Sequence, residues 1–260
     1  MKDAAKRTEE KYGILKTIFG HIWALWGVLV FASTMLIFLI PFLIFCYPLS
    51  EPRQTQRFII YGRIWMNTFL TLVGCPLKIK GKEHFKKGET YIVVCNHNAL
   101  IDVPVSSPGI PGGNKTIAKI EMSRIPLFGL VYKAGSVLVD RKSEASRRES
   151  FSKMKEVLAM GLHMCIYPEG TRNLTDQPLK SFHDGAFRLA IDTKKAIIPA
   201  IIFNSRKANP ATKSFFLWPH PLAMHFLEPV AVSDRDTTAS LKQKIFDIMK
   251  DYYVAEEMNQ

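Results

Sequence analysis

From Thr17 to Ser50 the chain contains no aspartate, glutamate, lysine or arginine. The surface of a soluble domain does not tolerate such a run, and it exceeds the roughly 20 apolar residues that span a bilayer as a helix. It is also too long for the core of a signal peptide, about 7–15 residues, and no small-residue cleavage site closes it, so it is expected to remain in the mature protein. Cysteine is scarce as well. The four cysteines, Cys46, Cys75, Cys95 and Cys165, sit in apolar stretches without metal-ligand spacing. That excludes a zinc site or a disulfide framework and leaves them as reduced packing residues. A Gly-x-Ser-x-Gly elbow is missing, and with it a serine nucleophile of that type. No nucleic-acid motif accompanies the net charge of +12. The positive excess is therefore assigned to an anionic membrane surface and to polyanionic lipid substrates, not to nucleic acid.

What is present divides in two. Residues 1–74 hold a basic N-terminus, the hydrophobic anchor and a further helix; residues 75–260 read as one catalytic domain. Gly27 and Pro41 allow the anchor to be either one kinked span or two shorter helices in a re-entrant hairpin. Lys2, Lys6, Arg7, Lys11 and Lys16 precede it, and Arg53, Arg57 and Arg63 follow it. Positive charge on both flanks favours the hairpin and puts the catalytic domain on the cytoplasmic face of the cell membrane. The apolar positions Phe58, Ile59, Ile60, Tyr61, Ile64, Trp65, Phe69, Leu70 and Val73 then predict an interfacial or core-packing helix, which Gly74, Cys75 and Pro76 end.

Beyond it, strand patterns at 77–80, 91–95, 115–118, 136–139, 164–167, 197–203, 215–218 and 224–227 alternate with helical ones. The helices fall near Val103 and at 126–134, 145–160, 186–193 and 240–255, the last with an apolar stripe at Leu241, Ile245, Ile248, Met249 and Tyr252. Such alternation predicts an α/β fold with a mostly parallel central sheet flanked by helices.

Two constellations carry chemistry. The buried-strand pattern 91–95 runs into Asn96-His97-Asn98, and Asp102 follows five residues after the histidine. Positions five apart on a helix lie about 140° from each other, so the two side chains meet only if His97 sits in the turn and Asp102 in the first helical turn. In that arrangement the carboxylate fixes the imidazole tautomer and leaves the other ring nitrogen free to act as a base; the competing reading is a strand-end turn in which Asp102 caps a helix. Cys95 beside the pair reads as packing. The second constellation is Tyr167-Pro168-Glu169-Gly170-Thr171-Arg172. Proline stiffens the strand exit, glycine lets backbone approach a ligand, and arginine offers a planar fork for phosphate. Glu169 reads as a support, holding Arg172 or a neighbouring amide. Lys119 and Arg141, each near a strand end, fit the same anion site; taken singly, each also fits a surface salt bridge.

These residues resemble the glycerophospholipid acyltransferase family, of lysophosphatidic acid acyltransferase type, over about residues 77–230. Asn96-His97 with Asp102 matches its first block, Gly135 to Arg141 its second, residues 167–172 its third and Ile198-Pro199-Ala200 its fourth; Lys119 and Ile125-Pro126-Leu127-Phe128-Gly129 fit a stretch between the first two. The resemblance implies transfer of an acyl chain from acyl-CoA or acyl carrier protein to the free hydroxyl of lysophosphatidic acid, with no metal or other cofactor, at a membrane whose phospholipids are partners. It implies His97 as base and Asp102 as its orienter, with Lys119, Arg141, Glu169, Gly170, Thr171 and Arg172 around the substrate phosphate. The chain departs from the family at Asn98, where Gln or Thr is common, at Ala99, commonly Ser, and at His183, where lysine is common. The loss of that charge keeps another lyso-lipid acceptor open, such as a lyso-ornithine aminolipid. A non-catalytic membrane lipid-binding protein is the reading from a different class.

Overall fold

The alternating pattern closes into one seven-stranded sheet with helices on both faces. The computed structural model describes residues 12–258; Lys2, Lys6, Arg7 and Lys11 lie outside them. In chain order the elements are α1 (Ile14–Phe45), α2 (Arg53–Leu72), β1 (Leu77–Lys80), β2 (Ile92–Cys95), α3 (Asp102–Gly109), β3 (Asn114–Lys119), α4 (Phe128–Ala134), β4 (Ser136–Val139), α5 (Glu144–Ala159), β5 (His163–Ile166), α6 (Gly185–Thr193), β6 (Ile197–Phe203), α7 (Ser205–Ala208), β7 (Leu222–Phe226) and α8 (Thr238–Met258). The strand order is β1-β7-β6-β2-β5-β3-β4. Every pairing is parallel except β6 with β7.

Period-two alternation along the central strands sorts side chains between two cores. Val93, Cys95, Ile198, Ala200 and Ile202 face a cluster shared with α1, α2 and α3. Ile92, Val94, Met164, Ile197, Ile201 and Phe203 face a second cluster shared with α5, α6 and α8. Buried on both faces, β2, β5 and β6 are apolar apart from His163 at the start of β5, as central parallel strands require. On α8 the buried stripe is Leu241, Ile245, Met249 and Tyr253, so the helix turns Tyr253 inward where the spacing pointed to Tyr252.

The long apolar run is one helix, not two. α1 continues unbroken through Pro41, which lies in the last turns where the loss of a single backbone bond is tolerated. At 32 residues it is about 48 Å long, more than a bilayer core requires. The chain reverses only afterwards, and α2 runs back along α1: the Trp65 indole donates to Thr34 Oγ1 at 3.0 Å, the Trp23 indole to the Val73 carbonyl at 2.9 Å, and Phe31 meets Phe69 edge-on at 5.4 Å between centroids. Away from that contact α1 leaves Ile22, Leu25, Leu29, Leu36, Ile37 and Ile40 exposed. A contiguous apolar face of this size marks a membrane or partner surface. Arg63, on the polar side of α2, donates to the carbonyls of Pro108 (2.8 Å) and Ile110 (2.6 Å) and so caps the C-terminal end of α3.

Residues 215–218 do not form the expected strand. Phe215 has φ of 51°, which breaks extended geometry. The amides that follow pair outside the sheet, Leu217 with the Gly20 carbonyl at 3.1 Å and Trp218 with the Ala208 carbonyl at 2.7 Å. The segment is a strap across the first half of α1.

Candidate active site

Four neighbouring parallel strands deliver their C-terminal ends to one edge of the sheet. Along that edge lie His97 just past β2, the Pro168-to-Arg172 turn just past β5, Lys119 at the end of β3 and Arg141 just past β4. Neighbouring strands are about 4.8 Å apart, so the whole set spans only about 14 Å. Crevices outside the carboxyl ends of parallel strands are where ligands bind in open α/β sheets.

His97 stands in the turn and Asp102 opens α3, and their side chains meet: Nδ1 of His97 lies 2.9 Å from Oδ2 of Asp102. The same carboxylate oxygen accepts the main-chain amides of Asn98 (2.6 Å) and Ala99 (2.7 Å). Asp102 is fully buried, whereas the imidazole is 17% exposed. The carboxylate therefore holds Nδ1 as the protonated nitrogen and leaves Nε2 as the acceptor. The Tyr167 ring lies 4.5 Å from the imidazole, centroid to centroid, and its hydroxyl is tied to Ser106 Oγ at 2.6 Å. Cys95 is sealed in the core with its sulfur 3.8 Å from that of Cys165. That contact and burial push the Cys95 thiol well up, so it offers no nucleophile.

The family resemblance groups Glu169 with the residues around the substrate phosphate, whereas its residue context reads as a support for a neighbouring amide; the structure shows the second. Glu169 is fully buried, and its two oxygens accept the amides of His97 (2.8 Å) and Lys180 (3.0 Å). A carboxylate so enclosed cannot reach a phosphate, and its charge would repel one; it clamps the histidine's main chain to the second loop. Burial pushes its pKa up to about 7, against the pull of those two amides and of Arg206. Gly170, Thr171 and Arg172 lie at the surface, while Pro168 is buried. Gly170 has φ of 71°, a left-handed conformation that favours glycine, and a Cβ there would press on the exposed His183 ring, 2.8 Å from its Cδ2. Its carbonyl accepts from the Arg141 guanidinium, which links the β4 and β5 ends. Thr171 Oγ1 accepts from Lys180 Nζ at 2.9 Å. Arg172 is half-buried and Lys119 exposed, and neither is in an ion pair among the described residues. Three or more cations without counter-ions along one edge make an anion site.

Several contributors were not legible. Asn96 bonds both the amide (2.7 Å) and the carbonyl (3.0 Å) of Ile202, anchoring the end of β2 to β6. Asn173 donates its amide to the His97 carbonyl at 2.7 Å, and Arg206 donates to Asn98 Oδ1 at 2.9 Å. Their partners lie far away in the chain, so no local spacing reveals them. Lys180 was findable only as one more cation after the third block. Among the described residues no three His, Cys, Asp or Glu side chains gather as a metal site.

Residues 76–203 match the family model described as Acyltransferase. The chain is 30% identical over 190 residues to the 1-acyl-sn-glycerol-3-phosphate acyltransferase of Cocos nucifera, an alignment covering 72% of this chain and 59% of that protein. It is 32% identical over 136 residues to the 1-acyl-sn-glycerol-3-phosphate acyltransferase alpha of Homo sapiens, covering 50% and 47% respectively. The match thus spans about half to three-fifths of the length of these curated relatives. Among solved structures, the 1-acyl-sn-glycerophosphate (LPA) acyltransferase PlsC of Thermotoga maritima superimposes with a TM-score of 0.76 at 20% identity, over 93% of this chain and 98% of that one, and so shares its fold. Through residues 76–203, where the histidine, its carboxylate and the cationic edge all lie, this chain belongs to the acyltransferase family.

Proposed function

We propose that this protein is a 1-acyl-sn-glycerol-3-phosphate acyltransferase, moving a fatty acyl chain from acyl-CoA or acyl carrier protein to the free hydroxyl of lysophosphatidic acid and yielding phosphatidic acid. One observation carries the reading: an oriented imidazole and a cationic, counter-ion-free edge share the ends of four adjacent strands. Arg172, Lys119 and Arg141, with Gly170 and Thr171 shaping the turn, hold the acceptor's phosphate. Nε2 of His97 takes the proton of the acceptor hydroxyl as that oxygen attacks the thioester carbonyl carbon. The C–O bond forms, the C–S bond breaks, and the imidazolium returns the proton to the departing thiolate. Asp102 lowers the energy of the transient imidazolium and keeps the ring aimed. No enzyme nucleophile and no metal enters this scheme.

Relatives named for this activity support the reading, as does the apolar face of α1, which suits a protein whose acceptor and product reside in membrane phospholipid. His183 beside Gly170, in a position where a permanent charge would strengthen phosphate binding, favours as second reading a different lyso-lipid headgroup, such as lyso-ornithine.

Full-length protein in mixed micelles, given radiolabelled acyl-CoA and a panel of lyso-acceptors, tests this. Lysophosphatidic acid should be the best acceptor. His97→Ala should lower kcat by roughly 10²–10⁴-fold, whereas Arg172→Ala should chiefly raise the acceptor KM. Equal product from His97→Ala and wild type would remove the enzyme reading and leave a lipid-binding protein.

A further inference from the structure

On the opposite flank of β2 from the cationic edge, next to β6, a cavity of about 720 Å³ reaches Asn98, the residue that follows the histidine. Asn98 and Asn173 line it; Asn98 follows His97 in sequence, and Asn173 donates its main-chain amide to the His97 carbonyl. The outer walls come from the loop after β6, the segment leading to the 215–218 strap, and the first turn of α1. This volume falls in the ~300–1,000 Å³ range of small-molecule and cofactor sites.

Its charge is lopsided. Lys16, Arg206, Lys207 and Lys213 line it, and none of the four is in an ion pair with a described carboxylate. Asp176 and Glu257 also reach the wall and are outnumbered. Trp218 adds an aromatic ring, its centroid 5.1 Å from the Lys16 ammonium. Cations around an aromatic platform in a concave site suit a ligand that is polyanionic and carries a flat ring. A lipid phosphate satisfies the first requirement and not the second; a nucleotide satisfies both.

We propose that this cavity binds the phosphorylated nucleotide end of the acyl thioester donor. The inference rests on the function proposed above and extends it: the donor enters from the β6 side, its thioester reaches His97 past Asn98 and Asn173, and the acceptor is held from the β5–β4 side. The two anionic substrates are then recognised by separate cation sets on either side of one base, so neither blocks the other. Acyl carrier protein offers the same phosphopantetheine arm without a nucleotide, and the assignment accordingly favours a coenzyme A thioester.

The test uses full-length protein in detergent micelles and adenosine 3′,5′-bisphosphate as probe. The probe should raise the thermal unfolding temperature, and should inhibit transfer competitively with acyl-CoA and not with the lyso-acceptor. In Lys207→Glu/Lys213→Glu, checked for wild-type circular dichroism, probe affinity should fall and the acyl-CoA KM rise, each by about tenfold or more, while the acceptor KM stays put. No shift with the probe, or a rise in the acceptor KM alone, would overturn the assignment while leaving the acyltransferase reading intact. Absence of transfer by wild type from any donor would sink that reading instead, and the probe's binding would still report on the cavity.

Discussion

One oxygen atom organises the reactive turn. Oδ2 of Asp102 accepts from the His97 ring and from the amides of Asn98 and Ala99, while its partner Oδ1 is buried without a hydrogen bond. Asp102→Asn keeps an oxygen for the three donors and places its amide where Oδ1 already lacked a partner, so the fold should survive. What it removes is the negative charge that stabilises the imidazolium. The expected result is a kcat lower by roughly 10²–10⁴-fold with the acceptor KM changed only a few-fold and the melting temperature nearly unchanged, measured by steady-state kinetics and thermal unfolding. A collapse in stability instead would make Asp102 a loop clamp rather than an orienter. At this scale the His97 and Asp102 pair was readable, because five residues separate them and only one local geometry lets them touch. The role of Glu169 was only half readable. A support for a neighbouring amide was among the readings, but the amide it holds belongs to His97, and a separation of 72 positions along the chain hides that contact.

Helix α1 owes its seat on the catalytic domain to residues it does not have. A Cβ at Gly20 would come within 2.0 Å of the Phe216 ring, and one at Gly27 within 2.8 Å of Leu217. With Ala24 these positions, spaced i, i+4 and i+7, form the groove that receives the strap. Gly20→Leu should push Phe216 out and lift the first half of the helix. The expected loss is about 1–3 kcal/mol of stability, read by chemical denaturation in detergent, with protease cleavage appearing near residue 215. Unchanged stability and protection would show that α1 is held by α2 alone. The apolar run of α1 was plain from its missing charges. The strap was misread as a strand because Phe-Phe-Leu-Trp satisfies a buried strand as well as a buried strap; the positive φ at Phe215 and the proximity of Gly20 exist only after folding. Nor could spacing decide where the apolar run would reverse, since a proline late in a helix costs little and α2 had to be present to define the pairing.

For the whole molecule, two buried groups tilt the pH dependence of stability in opposite directions. Burial depresses His163 to about 4, and its neutral ring accepts the Tyr91 amide at 3.0 Å. Its contribution is complete above the unfolded value near 6.5 and is lost as pH falls toward 4. Glu169 is raised to about 7, so its contribution is complete below the unfolded value near 4.3 and is lost as pH rises toward 7. Between about pH 4.5 and 6.5 the slopes of these two groups therefore offset one another. His163→Gln should unmask a stability that falls with rising pH, and Glu169→Gln one that rises, as read from denaturation midpoints across that window. Parallel profiles in all three proteins would refute the cancellation. Composition and local periodicity by themselves determined that the chain has a long apolar helix, a mostly parallel α/β sheet, and a histidine and carboxylate in one strand-end turn, because each of these depends on charges and spacings within a few residues. Only the tertiary structure decided that the cations of β3, β4 and β5 share one edge with that histidine and that Glu169 faces inward. It alone placed a second positively charged cavity on the β6 side. Strand order brings together residues tens of positions apart, and strand order is chosen by how the two cores fill, which no local pattern encodes.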